Sequence, residues 1–310
     1  MKPVYIFGEV LFDCFPDGRE VLGGAPFNVA WHLQAFGQSP VFVSSVCDDE
    51  PGRRIRDAMS DWGMRIDGLQ VDPLHPTGRV TVTLDGGEPS YDIVADCAYD
   101  FIASDALVAG EAGLIYHGSL ASRNSVSRAA LDKLKSHAEA TIFVDVNLRS
   151  PWWDRDEVLK MLDDADWVKL NRDELALLGD GDTDEIAAAE AFRAAHGLRG
   201  LVLTLGAHGA LAFEDGREPL EVEPGKLVGV VDAVGAGDAF ASILILGLRL
   251  GWTLATTMER AQAFASELVQ RRGATVSDAA FYRSLAERWG LSSEPTSSSP
   301  SRSSSDVTEH

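Results

Sequence analysis

The segment Asp232-Ala233-Val234-Gly235-Ala236-Gly237-Asp238 contains the residues of this chain best suited to chemistry. Its small residues Gly235, Ala236 and Gly237 let backbone N–H groups converge on one point, and the apolar helical pattern that follows adds the positive end of a helix. A turn of this kind binds anions. Asp238 at the same point is best explained as a base, which orients a hydroxyl group and accepts its proton while the amides stabilise a phosphoryl group in transit.

A structural role for Asp238 is the alternative. Isolated from the rest of the chain, a glycine-rich turn that ends in Asp also describes a helix cap. If Asp238 is instead the base, we expect the helix N-terminus to keep its carboxylate ionised at neutral pH, so that proton transfer comes late, as the P–O bond forms.

Strand and helix patterns alternate through most of the chain and must position this segment. Buried strands are predicted at Val4–Phe7, Val41–Val46, Leu114–Tyr116, Thr141–Val144, Trp167–Leu170 and Leu201–Thr204. Helices are predicted at Phe27–Phe36, Pro51–Trp62, Ser125–His137, Asp156–Ala165, Asp184–His196, Asp238–Leu250 and Leu254–Arg271. This alternation predicts an α/β fold, with a doubly wound, mostly parallel sheet flanked by helices.

Two segments depart from that alternation. Val10–Leu22 and Gly78–Ile93 show the period-two pattern of half-buried strands, and Asp85-Gly86-Gly87 has turn chemistry. We predict antiparallel strands of a small second sheet, lying within about residues 9–23 and 77–101, that forms a lid over a pocket. Two surface hairpins without a role are the alternative.

Composition and charge exclude several classes of function. The 310 residues are 45% apolar and carry a net charge of −21 without a segregated basic patch, which disfavours nucleic acid and anionic membranes as partners. The three cysteines, Cys14, Cys47 and Cys97, are too far apart for a metal pair, so a reducing compartment fits best. With no signal-type start and no apolar stretch long enough to span a bilayer, a cytoplasmic protein is expected.

Further motifs precede the 232–238 segment in a fixed order. They are Gly8-Glu9 with Asp13, Gly23–Ala30, Asp145–Arg149, Lys169–Glu174 and Thr204–Gly209. Each is weak alone, but in this order and spacing they resemble the PfkB, or ribokinase-like, carbohydrate kinases over about residues 1–289. The resemblance implies a ribokinase-like fold with a small β-sheet lid, and transfer of a phosphoryl group from ATP to a sugar hydroxyl.

The resemblance also implies a role for individual residues. The sugar would be bound by Asp13, Gly23, Gly24, Asn28 and Asp238, and Asp13 and Asn28 supply the acceptors and donors that suit a polyol. Catalysis would rest on Asp238, on the amides of Gly235, Ala236 and Gly237, and on Arg149, which can hold phosphate oxygens. ATP would lie along Asn171, Thr204, Gly206, Gly209 and Gly237.

Two ions are implied by the same resemblance. Glu174 would reach Mg²⁺ through water, because this ion keeps most of its water ligands. Asp232, the Val234 carbonyl, Gly273 and Ser277 match the monovalent-cation site of the potassium-activated members. Structural alternatives stay open: a surface ion pair for Arg149, a helix-start charge for Glu174, a helix cap for Asn28, and a helix terminator and cap for Gly273 and Ser277.

One residue departs from the family pattern. Ala233 stands where the family usually has Thr, so a hydroxyl group near the 232–238 segment is missing. Because Asp238 and the small residues are intact, we expect catalysis to survive with altered local hydrogen bonding.

The substrate is less closely defined than the reaction. Gly23–Ala30, Asp145–Arg149 and Pro151-Trp152-Trp153 look most like the bacterial fructokinases, which implies D-fructose; 2-keto-3-deoxygluconate, ribose or a nucleoside are alternatives. Tyr91 and Phe101 are candidates for stacking on the sugar, and Arg79 or Arg123 would supply the extra cation that a keto acid needs.

Two other classes of function stay open. A sugar sensor that has lost turnover is one, although Asp238 argues against it. A nucleotide-dependent oxidoreductase is less favoured still, because no G-x-G-x-x-G follows a strand. We also expect a homodimer through the lid strands, whose exposed edges tend to find a partner, and a disordered Ser/Pro-rich tail at 290–310.

Overall fold

The structure is a computed structural model that describes residues 1–85, 88–108, 110–136, 139–179, 184–224 and 229–291. The folded part extends two residues past the predicted boundary at 289. Leu291 donates its backbone N–H to the Ala286 carbonyl and packs its side chain on the core. The rest of the predicted tail lies outside the described residues.

Within the described residues, nine strands form one sheet in the order β13-β12-β11-β10-β9-β8-β1-β4-β5. They are β1 (Val4–Phe7), β4 (Val41–Cys47), β5 (Leu69–Asp72), β8 (Leu114–His117), β9 (Thr141–Asp145), β10 (Trp167–Asn171), β11 (Gly200–Thr204), β12 (Ala210–Glu214) and β13 (Leu220–Val222). The strands from β5 through β11 along this order pair in parallel, and β12 and β13 add antiparallel pairs at one edge. The predicted strands are all present, and β5, β12 and β13 are additional.

Helices cover both faces of the sheet. They are α1 (Ala25–Ala35), α2 (Glu50–Asp61), α3 (Ser125–Ser136), α4 (Arg155–Leu162), α5 (Arg172–Leu178), α6 (Glu185–Ala195), α7 (Ala236–Leu250), α8 (Leu254–Leu268) and α9 (Ala279–Arg288). One apolar cluster joins the sheet to α1, α2, α7, α8 and α9, and a second joins it to α3 through α6. This is the predicted doubly wound arrangement; the short helices α5 and α9 are the ones that the periodicity did not indicate.

Four strands form the predicted second sheet, called the lid sheet below. They are β2 (Leu11–Cys14), β3 (Glu20–Gly23), β6 (Gly78–Asp85) and β7 (Glu88–Ile93), in the order β3-β2-β6-β7. The prediction of antiparallel strands is correct for the two hairpins and wrong for the pair that joins them, because β2 and β6 run parallel, with Leu11 opposite Gly78. Residues 86 and 87 of the predicted turn lie outside the described residues.

The parallel strands deliver the motif residues to one edge of the large sheet. Glu9 follows β1, Asn147 follows β9, Asn171 ends β10 and Thr204 ends β11. Because the carboxyl ends of parallel strands share an edge, these residues line the crevice where open α/β sheets bind ligands.

Candidate active site

The turn at 232–238, called the anion turn below, has the backbone conformation expected of an anion site. Gly235 is the N-cap of α7 and adopts the left-handed conformation, with φ 79°. A Cβ atom on Gly235 would lie 2.5 Å from Cα of Ala274, so the position excludes any side chain. The turn therefore presents its backbone to the crevice at the N-terminal end of a 15-residue helix.

Asp238 lies in the first turn of α7 and is held by a residue from the opposite end of the chain. Asn28 Nδ2 donates a hydrogen bond of 2.8 Å to Asp238 Oδ2. Asn28 is buried in the first turn of α1, which begins after Gly24 at φ 109°. A Cβ atom on Gly24 would lie 2.6 Å from the Glu9 carbonyl oxygen, so this glycine lets α1 begin directly against the β1 loop.

The pKa of Asp238 is raised to about 6, although the helix N-terminus by itself would lower it. Loss of solvation on burial is the main cause, and the nearby Asp145 carboxylate adds to it. The Asn28 hydrogen bond and the positive charges of Lys169 and Arg149 pull the pKa of Asp238 down. The group is mostly ionised at pH 7 and is a stronger proton acceptor than an ordinary Asp, which suits a general base.

Lys169 is a component of the site that the motifs did not single out. Its Nζ donates to both carboxylate oxygens of Asp145, each at 2.9 Å, and the two side chains are 8% and 2% exposed. Tyr116 Oη donates to Asp145 at 3.3 Å. Burial alone would lower the pKa of Lys169, but the Asp145 carboxylate outweighs burial and raises it.

The buried ammonium group lies against the anion turn. A Cβ atom on Gly237 would lie 3.5 Å from Lys169 Nζ. The buried Lys169–Asp145 ion pair therefore lies directly behind the anion turn, with its ammonium group toward Gly237. A lysine in the middle of an apolar strand pattern was the signal that could have found it, since such a residue is rarely buried without a partner.

Arg149 and Asp13 face the same cleft from the sheet and from the lid. Arg149 is exposed, with Nη1 donating to the Leu148 carbonyl, and its charge lowers the pKa of Asp13, Glu9 and Asp238. Burial is the larger influence on Asp13 and raises its pKa. Asp13 Oδ2 lies 3.5 Å from where a Cβ atom on Gly23 would be, so β2 and β3 place the predicted sugar residues together.

Glu9 is a second residue whose role the sequence did not indicate. It is 4% exposed, and its Oε2 has no hydrogen-bond partner among the described residues. Loss of solvation raises the pKa of Glu9 to about 7, with Arg149 lowering it and Asp238 raising it. Because burial disfavours the charged form, Glu9 carries less negative charge into the cleft than an ordinary Glu would.

The predicted nucleotide residues stand at the ends of two neighbouring strands. Asn171 and Thr204 are paired in register across β10 and β11. Asn171 caps α5, where its Oδ1 accepts the Glu174 N–H at 2.9 Å. Gly206 and Gly209 have φ values of 58° and 92°, and a Cβ atom on Gly209 would lie 2.0 Å from the Val222 carbonyl oxygen. Both positions require glycine, so this loop keeps its backbone uncovered.

Glu174 serves first as a bridge between two loops. Its Oε1 accepts the Leu148 N–H and its Oε2 accepts the Asn171 N–H, both at 2.8 Å. Each oxygen keeps a lone pair for water, and no cluster of three or more His, Cys, Asp or Glu side chains occurs in the part of the chain that is described. These donors fit a magnesium ion held by phosphates and water, with Glu174 reaching it only through water.

The residues predicted for a monovalent cation are brought together in part. Asp232 accepts the Val234 N–H through Oδ1 and the Gly273 N–H through Oδ2, each at 3.0 Å. The Asp232 carboxylate thus ties the anion turn to the loop after α8. Ser277 is exposed, and the described hydrogen bonds do not join it to Asp232.

The residues that the sequence suggested for substrate specificity make other contacts or lie at the surface. Phe101 stacks on His75 with ring centroids 3.5 Å apart, and Tyr91 is 51% exposed on β7. Arg123 is buried in an ion pair with Asp100, with Nη2 2.7 Å from Oδ2, and its buried Nη1 has no hydrogen-bond partner among the described residues. Arg79 is half-exposed near Glu20. Both arginines have an acidic neighbour, and the keto-acid alternative stays a prediction.

Comparison with known proteins agrees with this geometry. The family described as pfkB family carbohydrate kinase matches residues 14–280. The chain belongs to the pfkB family of carbohydrate kinases. Among its relatives, a fructokinase of Escherichia coli is 31% identical over 290 residues, which cover 87% of this carbohydrate kinase and 92% of the relative.

Solved structures give the same fold. The fructokinase of Vibrio cholerae O395, with fructose, ADP and calcium ion bound, has a TM-score of 0.78 and 26% identity, over 92% of this chain and 99% of that one. The aminoimidazole riboside kinase of Salmonella enterica, with aminoimidazole riboside and an ATP analogue, has a TM-score of 0.80 and 25% identity, over 94% and 100%. The ribokinase-like fold predicted from the motifs is confirmed. Among the described helices, none is long and apolar enough to cross a membrane.

Proposed function

We propose that this carbohydrate kinase transfers the γ-phosphoryl group of ATP to a hydroxyl group of D-fructose. The observation that carries the proposal is the hydrogen bond between Asn28, on the sugar-side helix, and Asp238, at the N-terminus of α7. An amide suited to a polyol and a carboxylate suited to act as a base thus lie beside a turn suited to an anion, which supports the proposal. The fructokinases of Escherichia coli and Vibrio cholerae, to which the chain is similar, favour fructose as the sugar.

Different residues act on the proton and on the phosphoryl group during the reaction. Asp238 orients the sugar hydroxyl and accepts its proton as the new O–P bond forms and the bond from Pγ to the ADP oxygen breaks. The amides of the anion turn and the Arg149 guanidinium stabilise charge on the phosphoryl oxygens in transit. Asp13, with Asn28, holds the other hydroxyl groups of the sugar.

The proposal also includes binding sites for two ions, Mg²⁺ and K⁺. Mg²⁺, when bound with ATP, neutralises charge on the phosphate oxygens, and Glu174 would contact its water shell. A K⁺ ion would use Asp232, the Val234 carbonyl and the Gly273 loop, with Ser277 its least supported ligand. A double mutant of the Vibrio cholerae fructokinase has been seen with fructose, ADP and potassium ion bound.

A coupled ADP-release assay tests the proposal. With Mg-ATP and K⁺ we expect strong turnover on fructose, and weak or no turnover on ribose, 2-keto-3-deoxygluconate, adenosine and tagatose. Strong turnover on another member would replace fructose and keep the kinase. Silence across the panel, with fructose binding still detectable by calorimetry, would favour the sugar-sensing alternative and make Ala233→Thr the first variant to examine.

We further propose a homodimer through the lid sheet and a cytoplasmic location. The outer strands β3 and β7 leave edges of the lid sheet open within this chain, and such edges attract a second strand. The three cysteines are free, as a reducing compartment requires. Light scattering that shows only monomer at micromolar concentration would exclude the dimer, and recovery of the native protein outside the cytoplasmic fraction would exclude the location.

A further inference from the structure

Three side chains outside the proposed catalytic groups hold the loop that follows α8. Trp31 and His32 lie on α1, and Tyr282 lies on α9. Trp31 Nε1 donates to the Val276 carbonyl at 3.0 Å, and His32 Nε2 lies 3.1 Å from the Ala274 carbonyl. His32 Nδ1 lies 2.9 Å from Tyr282 Oη, which also accepts the Val276 N–H at 3.4 Å.

The donor and acceptor roles in this cluster follow from chemistry. A carbonyl oxygen only accepts, so His32 Nε2 must carry the hydrogen that reaches Ala274. Burial lowers the pKa of His32 to about 3, so its ring is neutral and Nδ1 is an acceptor. Tyr282 Oη therefore donates to Nδ1 and accepts from the Val276 N–H. The ring nitrogens, the hydroxyl and the loop groups Val276 N–H and Ala274 C=O are all used in one arrangement.

The loop held in this way lies directly behind the anion turn. Ala274 occupies the space where a Cβ atom on Gly235 would be, and the Gly273 N–H is bonded to Asp232. A shift of this loop would therefore move the backbone amides that face the phosphoryl group. The same face of α1 also reaches Asp238, since Asn28 precedes His32 by one helical turn and donates a hydrogen bond to Asp238.

We propose that Trp31, His32 and Tyr282 form a positioning relay that fixes the anion turn relative to the sugar-side helix α1. The relay holds Asn28, on the sugar side, and the amides of the anion turn, on the phosphate side, in one fixed arrangement. It touches neither substrate, so it acts through the 273–276 loop and not by contact. This inference rests on the proposed kinase function, because the turn matters only if a phosphoryl group passes it.

The test removes one hydroxyl group from the relay. Tyr282→Phe keeps a buried ring that packs against Phe36, Phe264 and Phe281, and it leaves His32 Nδ1 and the Val276 N–H without a partner. We expect kcat for fructose to fall about 10-fold while the KM for fructose changes less than about 3-fold, since a displaced anion turn affects transfer more than sugar binding. Tyr5→Phe is the matched control, because Tyr5 is also buried but lies on β1.

A second measurement is independent of turnover. Hydrogen exchange followed by mass spectrometry should show faster exchange in Tyr282→Phe for peptides covering both 230–238 and 270–278, and no change there in Tyr5→Phe. His32→Gln, whose amide supplies one donor and one acceptor, should retain more of the rate than His32→Leu. If Tyr282→Phe does not fold, these two His32 variants carry the comparison.

The possible outcomes separate the relay from the proposed function. A wild-type chain that phosphorylates nothing would remove the function, while the exchange experiment still decides the relay. Faster exchange confined to the Tyr282 peptide, or a kcat for Tyr282→Phe within 2-fold of wild type, would overturn the relay. An equal loss of kcat in Tyr5→Phe would also overturn it, because the effect would then follow from general destabilisation.

Discussion

The anion turn and the lid sheet are held in place by different kinds of interaction. The turn is fixed by buried contacts from distant parts of the chain: Asn28 on Asp238, Lys169 behind Gly237 and Ala274 against Gly235. The lid sheet is held by strand pairing, by side chains buried in the apolar cores, such as Leu11, Phe12 and Val80, and by surface ion pairs such as Arg54 with Glu20, whose side chains are 40% and 29% exposed. Specific polar and backbone contacts thus fix the anion turn, whereas apolar packing and strand pairing hold the lid sheet.

The largest expected effect is at the base. Asp238→Asn keeps the shape of the side chain and removes its ability to accept a proton, so kcat should fall roughly 10²- to 10⁴-fold. ATP binding, measured by calorimetry, should change little, because the backbone amides of the turn remain. A variant with a near-normal rate would show that Asp238 is not the base.

Substitution in the buried Lys169–Asp145 ion pair behind the anion turn should have the next largest effect, on stability. Lys169→Met leaves the Asp145 carboxylate buried without a counter-charge, which should lower the free energy of unfolding by about 3–5 kcal/mol. Denaturant titration measures this change. The double variant Lys169→Met/Asp145→Leu is the control and should recover much of the loss; equal destabilisation in both would mean that packing, and not charge, holds this region.

In the lid sheet the effect should fall on substrate affinity. Asp13→Ala loses charge-assisted hydrogen bonds to sugar hydroxyls worth about 1.5–3 kcal/mol, which raises the KM for fructose roughly 10- to 150-fold. Arg54→Ala is the control on the same sheet, because it removes the surface ion pairs with Glu20 and Glu50 and the contact with the Phe12 ring but no proposed sugar contact, so the KM for fructose should stay within about 2-fold. An unchanged KM in Asp13→Ala would place the sugar away from β2.

The smallest effect should appear in the pH profile. The hydrogen bond from Asn28 lowers the pKa of Asp238, which stands at about 6 because burial raises it. The base must be deprotonated to act, so kcat/KM falls as pH drops through that value. Asn28→Ala removes the lowering contact and should move this acid limb to higher pH, by about one unit. A limb that stays in place, or moves to lower pH, would mean that Asn28 does not tune the base.

Much of this molecule could be predicted from its sequence, for reasons specific to particular residues. The close backbone approaches at Gly235 and Gly24 could be predicted, because only glycine fits there. The role of Asp238 could be predicted because a carboxylate is unusual in an anion-binding turn. The alternation of patterns gave the doubly wound sheet. The lid strands were visible through their period of two.

What could not be predicted depends on partners far apart in the chain. Lys169 is tolerated in a buried strand only because Asp145 lies beside it, and a sequence pattern does not show that pairing. The raised pKa of Asp238 comes from the burial that the fold imposes, which outweighed the helix end that the local sequence emphasised. The sequence assigned no role to His32, because its hydrogen bonds to Ala274 and Tyr282 span more than two hundred positions.

The parallel pairing of β2 with β6 has a consequence for how the chain folds. Leu11 is paired with Gly78, and α1, β4, α2 and β5 lie between them in the chain. The entropy of closing so long a loop must be offset before this pairing is favourable, so the intervening βα units have to form first. The lid sheet is therefore expected to become complete only after the part of the chain between its two hairpins has folded, so its two halves depend on the large sheet for their meeting.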